Sequence, residues 1–132
     1  MDSRRREHDE RAEQLGGVAG HAGLFSTVDD MGRFARAILL GHEALPEKWV
    51  ARSCENQTAR LNSNRALGWI VYRAQEGGNI VGHTGFTGTS LWIDRERGFG
   101  LALLTNRLCY DHLPQADMNA FRRAVHTALL EE

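Results

Sequence analysis

Lysine is almost absent. Lys48 stands alone among 16 basic side chains, the rest being arginine, so any lysine-dependent chemistry has one position to use, and the residue three before it is Leu45. Cysteine is nearly as scarce: Cys54 and Cys109 form one pair at most and lack Cys-x-x-Cys spacing, which excludes a disulfide framework and gives no zinc signature. They read as two free, partly buried thiols. Long apolar runs are missing too. Residues 37–40 and 101–104 fall far short of the ~20 residues that a membrane-spanning helix needs. Residues 1–14 crowd both signs of charge (Arg4, Arg5, Arg6 and Arg11 against Asp2, Glu7, Asp9, Glu10 and Glu13) and hold no apolar core of the kind a secretion signal requires, which leaves the compartment open. With 17 acidic residues against 16 basic ones and a net charge of −1, no field of one sign gathers nucleic acid or anionic lipid. Neither a nucleic-acid partner nor a membrane span is expected.

What is present is enough for one modest core. The chain has 132 residues, 42% of them apolar and 25% charged. A domain of that size buries roughly two-thirds of the surface its unfolded chain exposes. Disordered and collagen-like chains are thereby excluded.

Residues 15–23, Leu-Gly-Gly-Val-Ala-Gly-His-Ala-Gly, place four glycines in eight positions and read as a shaped loop. Ser26-Thr27-Val28-Asp29 and Thr27-x-x-Asp30 then fit a hydroxyl N-cap with an acid three residues on. Met31, Phe34, Ala35, Ile38 and Leu39 follow at helical spacing, and Gly41 sits where a C-terminal cap belongs. Pro46 is placed to open a short second helix with Trp49 and Val50, and residues 53–65 read as a loop. Residues 67–72 and Ile80-Val81 read as strands joined by a turn at 76–79; residues 90–94 and 99–106 read as a hairpin across Arg95-Glu96-Arg97-Gly98. After Pro114, Met118, Phe121, Val125 and Leu129 form an apolar stripe on a terminal helix that packs on the sheet. The fold class is α+β, an antiparallel sheet of three to four strands with flanking helices, in one domain over residues 1–132.

The stretch with chemical content is His83-Thr84-Gly85-Phe86-Thr87-Gly88-Thr89, small and hydroxyl-bearing residues at a strand end that a ligand can approach. A satisfied turn is its bland reading. The earlier glycine-rich loop has no Gly-x-Gly-x-x-Gly and no Gly-Lys-Ser/Thr, so it is no phosphate loop. His21 within it reads as a hydrogen-bonded loop former before a cleft-lining side chain. Ser26, Ser53 and Ser90 lie in no Gly-x-Ser-x-Gly elbow, and the six histidines, His8, His21, His42, His83, His112 and His126, show no metal-ligand spacing. No metal and no cofactor are expected.

In combination, residues 15–27, Asp30 with the Phe34-Ala35 helix, Leu67-Gly68-Trp69, residues 83–94 and Leu104-Thr105-Asn106-Arg107 resemble the serine hydrolases related to β-lactamases and penicillin-binding proteins, in their class C-like and esterase branch. The resemblance runs over about residues 7–107. It implies part of a β-lactamase/transpeptidase-like fold, with residues 27–52 closing a helical region and residues 67–106 supplying the sheet. It also implies amide or ester hydrolysis through an acyl-enzyme in complete members, on a small-molecule ester, amide or peptidoglycan-like substrate.

The family uses a Ser-x-x-Lys serine, a Tyr-x-Asn or Ser-x-Asn element, and a Lys-Thr-Gly or His-Thr-Gly strand. By resemblance His83 takes the place of the strand lysine, Thr84 hydrogen-bonds the substrate or its proton network, Gly85 lets the acyl group lie against the strand, and the Phe86 amide is one oxyanion donor. Ser-x-x-Lys occurs nowhere in the chain, Tyr72 and Tyr110 open no Tyr-x-Asn, and no Ser-x-Asn occurs. The expectation is therefore the carboxy-terminal portion of a longer bacterial enzyme, with Met1 an internal or false start, inactive alone. Arg95, where proline is common, and Leu108-Cys109-Tyr110, where a Val-His-Pro-like run is common, depart from the pattern in turns away from the cleft. The alternative reading is a non-catalytic binding or dimerisation module that keeps the cleft wall. Missing amino-terminal strands would leave an unpaired sheet edge, from which homo-oligomers are expected.

Overall fold

The computed structural model describes residues 8–73, 79–108 and 114–130. The turn expected at 76–79, Cys109, Tyr110 and His112 lie wholly or largely outside those residues. Among the described residues four α-helices and four strands follow in the order α1 (Glu10–Gln14), α2 (Val28–Leu40), α3 (Glu47–Cys54), β1 (Ile70–Arg73), β2 (Asn79–Thr84), β3 (Ser90–Asp94), β4 (Phe99–Leu103) and α4 (Gln115–Leu130). The strands form one sheet in the order β1-β2-β3-β4, antiparallel throughout. Among the described residues no helix is long and apolar enough to cross a membrane.

Local chemistry sets most boundaries. The Thr27 side chain accepts a hydrogen bond from the Asp30 amide at 3.2 Å, satisfying one orphan donor of α2, and Gly41 ends the helix. Pro46 stands one place earlier than the sequence suggests, as the N-cap of α3 rather than its first residue. Cys54, a half-buried free thiol, is the last residue of α3, so the expected loop starts two residues late and contains one 3-10 turn at Ala59–Leu61. Asp9 starts α1, which the sequence reading does not foresee, by accepting from the amides of Arg11 and Ala12. β1 begins at Ile70 rather than at 67. The Ala66 amide donates to the Trp69 carbonyl at 3.0 Å, closing a turn in which Gly68 takes φ of 81°, a conformation that a side chain disfavours. β4 ends at Leu103 rather than 106, because Thr105 and Arg107 turn away to bond the β2–β3 connection.

Alternation along the strands divides the sheet into two faces. Val71, Val81, Leu91 and Ile93 pack with Ala35 and Ile38 of α2 and Val50 of α3 as the main core. The register places Ile70, Gly82, Trp92 and Leu101 in one cross-strand row on the opposite face. There Trp92 stacks between Tyr72 at 4.3 Å and His126 of α4 at 3.8 Å between ring centroids. Gly82 leaves the space: a Cβ on it would stand 2.8 Å from the Trp92 ring.

The terminal helix is rotated from its expected phase. Met118, Arg122 and His126 are its buried residues, whereas Phe121 and Leu129 stay 47% and 43% exposed. Met118 and the half-buried Val125 lie on the inner side as expected, whereas hydrophobicity alone misplaces Phe121 and Leu129. The polar groups that draw Arg122 inward lie in the turn described next.

Candidate active site

β2 ends in the candidate sequence. His83 pairs with Leu91 and Thr84 with Ser90, so strand alternation sends their side chains to opposite faces of the sheet. His83 is exposed and Thr84 half-buried. The His83 Nδ1 lies 2.9 Å from the Thr84 carbonyl oxygen, which can only accept. In the neutral ring the proton therefore sits on Nδ1, and Nε2 keeps the basic lone pair.

Gly85 to Thr89 form a tight connection into β3. The Gly85 amide donates to the Thr89 carbonyl at 2.8 Å and the Gly88 amide to the Gly85 carbonyl at 3.2 Å. Gly85 is required by close approach: a Cβ there would collide with the Thr89 hydroxyl oxygen. At Gly88, φ is 120° and a Cβ would meet the Thr105 hydroxyl at 2.7 Å. The Phe86 amide N–H, by contrast, donates to no acceptor among the described residues. Its side chain is 61% exposed, with the Arg107 guanidinium 4.2 Å above the ring and the His8 ring 5.5 Å away.

Two later segments hold this connection from behind. From the stretch after β4, the Thr105 hydroxyl donates to the Gly88 carbonyl at 2.7 Å, the Arg107 amide to the Thr87 carbonyl at 2.8 Å, and Arg107 Nε to the Phe86 carbonyl at 2.6 Å. From α4, Arg122 Nη2 donates to the carbonyls of Gly85 at 2.6 Å and Thr89 at 2.7 Å, while Nε reaches the Gly88 carbonyl at 3.3 Å. Its Nη1 donates to Asn119 Oδ1 at 3.0 Å. Arg122 is only 2% exposed, and burial lowers its pKa. Its partners are carbonyls and an amide oxygen, with no carboxylate among the described residues.

Beside it, the His126 ring is 2% exposed and within 3.4 Å of the Ser90 hydroxyl. Burial, followed by the positive charge of Arg122, pushes its pKa down to about 4, so the imidazole is neutral at pH 7. Burial also raises the Tyr72 phenol.

Thus His83, Thr84, Gly85 and Phe86 lie contiguously at one end of the sheet, and the Phe86 N–H finds no acceptor among the described residues. His21 takes no part in this network among the described residues: it is half-exposed and its Nε2 meets Asp9 Oδ1 at 3.1 Å. That contact, together with the amides of Ala12 and Arg11, holds the Asp9 carboxyl below its usual pKa, the Ala12 amide most of all. Sequence reasoning missed Arg122, and its only signal was weak: an arginine four residues after Met118 and four before His126, in phase with both. No group of three or more potential metal ligands is assembled among the described residues.

Comparison with known proteins adds the lineage. A match to the family described as Beta-lactamase spans residues 1–124. The chain is 35% identical over 124 residues to the "N-acetylmuramyl-L-alanine amidase" of Bacillus subtilis (strain 168), which covers 83% of this chain and 27% of that protein. It is equally 35% identical over 124 residues to proteins named "Putative D-alanyl-D-alanine carboxypeptidase" from Salmonella paratyphi B and Salmonella newport, covering 83% of this chain and 28% of each. The chain therefore spans little more than a quarter of the length of these relatives. No solved structure matches it significantly. The motif order, the strand-end geometry and the match over residues 1–124 lead to one assignment: the chain belongs to the beta-lactamase family.

Proposed function

We propose that this chain forms the carboxy-terminal wall of an acyl-transfer cleft, in a serine hydrolase acting on amide or ester bonds. The observation that carries the reading is the Phe86 N–H, which has no acceptor among the described residues, beside a strand end that runs His83-Thr84-Gly85. A donor held in that state is suited to the oxygen of a scissile carbonyl as negative charge develops on it. Gly85, without a Cβ, leaves the strand edge bare for the acyl group. Thr84 supplies a hydroxyl for hydrogen bonding at the strand end, and His83 Nε2 is the proton acceptor where other members carry lysine. The names of the amidase and carboxypeptidase relatives favour peptidoglycan-like amides as the substrate class.

The chain alone carries out no acylation, because it has neither Ser-x-x-Lys nor Tyr-x-Asn. Losing one oxyanion donor typically costs about 100-fold or more in kcat, and here the attacking hydroxyl is missing as well. Incubation with a fluorescent β-lactam or a nitrophenyl ester gives no covalent adduct and no turnover. A stoichiometric adduct on any serine, seen by intact-mass spectrometry, overturns this reading. A second reading, a binding or dimer-forming module, is favoured by the exposed apolar run at Leu24 (98% exposed) and Phe25 (64%).

A further inference from the structure

We infer that Arg122 is the positioning residue of the proposed oxyanion donor: from α4 it fixes and polarises the one peptide group whose N–H belongs to Phe86. The inference rests on the reading of Phe86 given above and extends it to a residue 36 positions later. The Gly85 carbonyl and the Phe86 N–H belong to the same planar unit, and the described chain has no cis bond, so the two groups point in opposite directions. Arg122 Nη2 grips that carbonyl at 2.6 Å. Whatever holds the oxygen inward aims the hydrogen outward, toward the open side of the strand end.

Two further facts make the grip more than a tether. Arg122 is 2% exposed with no carboxylate beside it among the described residues, so its charge is met by the inward-turned carbonyls of Gly85, Gly88 and Thr89 and by Asn119. A cation on a carbonyl draws electron density toward the oxygen and leaves the N–H of the same unit a stronger donor, the cooperative effect known for hydrogen-bond chains. The neutral alternative, the Gly88 amide on the same oxygen, is longer at 3.2 Å and carries no charge. The guanidinium also spans the connection from Gly85 to Thr89, which a single ammonium cannot do with the same fixed fork. Arg122 touches no reacting atom in this arrangement, and so acts only through Phe86.

The test uses the whole chain labelled with 13C at glycine carbonyls and 15N at phenylalanine. Gly-Phe occurs twice in the sequence, at Gly85-Phe86 and Gly98-Phe99, so an HNCO spectrum contains two signals, and the second is an internal control. In the unmodified chain, with arginine also 15N-labelled, a through-hydrogen-bond coupling links the Arg122 side-chain nitrogen to the Gly85 carbonyl. In Arg122→Met the Gly85-Phe86 signal moves upfield in both 13C and 1H while Gly98-Phe99 stays in place. Arg122→Lys, which keeps the charge and loses the fork, recovers part of the 13C shift. Acetate, a small oxyanion probe, then moves the Phe86 amide proton downfield in the unmodified chain and less so in Arg122→Met.

An unmoved Gly85-Phe86 signal in a folded Arg122→Met overturns the inference. Should that variant unfold, absence of the coupling in the unmodified chain overturns it equally. If the coupling and the Arg122 effect are present and acetate leaves Phe86 unshifted, the positioning stands and the oxyanion-donor reading fails, which separates the two.

Discussion

Acid should loosen the α4 face of the sheet through a single imidazole. His126 is 2% exposed, stacked on Trp92 at 3.8 Å, and its pKa is pushed from 6.5 down to about 4 by burial, with the charge of Arg122 adding to the effect. In the unfolded chain neither cause survives, and the ring takes its proton near pH 6.5. Between about pH 6.5 and 4 the unfolded state therefore binds more protons than the folded one, so stability falls as the pH falls through that window. The interval from 6.5 to about 4, at about 1.4 kcal/mol per pH unit, amounts to about 3 kcal/mol. Against a typical domain stability of about 5–15 kcal/mol that is a large fraction, equivalent to a fall in Tm of about 10 °C. The comparison protein is His126→Phe, whose ring keeps the stack on Trp92 and cannot titrate. Urea unfolding at pH 7, 6, 5 and 4 should show the unmodified chain losing about 3 kcal/mol relative to the variant. Asp9, whose carboxyl is held below its ordinary value by amide hydrogen bonds, loses its contribution only at lower pH and is common to both proteins. Parallel pH profiles, or a His126 imidazole resonance that titrates above pH 6, would refute the reasoning.

Three further outcomes are expected. Gly82→Ala places a Cβ 2.6 Å from the Leu91 carbonyl oxygen and 2.8 Å from the Trp92 ring, and should cost about 1–3 kcal/mol, read as a lower urea midpoint with a weakened near-ultraviolet signal of the Tyr72–Trp92 stack. Thr27→Ala removes the acceptor of the Asp30 amide and should cost about 1 kcal/mol, with faster hydrogen exchange confined to the first turn of α2. Leu15, Val18, Leu24 and Phe25 are each more than half exposed, and the chain should sediment as a dimer or larger species; a Leu24→Ser, Phe25→Ser double variant should shift it toward monomer without loss of stability. A sharp, reversible thermal transition from a monodisperse unmodified monomer would contradict that last expectation.

What could be read from the residues was what local chemistry decides. The Thr27 cap, the Gly41 stop and the limits of β3 each depend on groups within a few positions, and each lies where the sequence places it. The family was legible for a different reason, since the His83-Thr84-Gly85 strand and the glycine-rich loop are specific in combination. The phase of α4 was not legible. Phe121 and Leu129 outrank Arg122 and His126 on any hydrophobic scale, and only the three carbonyls of a turn 33 to 37 positions earlier make burial of an arginine favourable. The unpaired amide of Phe86 was illegible in the same sense. Whether a backbone N–H finds a partner is set by the path of the chain around it, and residue type carries no trace of it.

Gly88 accepts hydrogen bonds from Thr105 and Arg122 on one carbonyl, across separations of 17 and 34 residues. That long reach has a consequence in time. Each bond waits for a loop to close, and distant contacts are the slow ones in folding. On a ribosome the β2–β3 hairpin emerges well before α4, because synthesis proceeds from the amino terminus. The sheet can thus assemble while this end of it is still unfastened, and the turn bearing Phe86 acquires its final shape only when α4, made after the sheet, has docked. The hairpin is therefore completed by a helix that is synthesised after it.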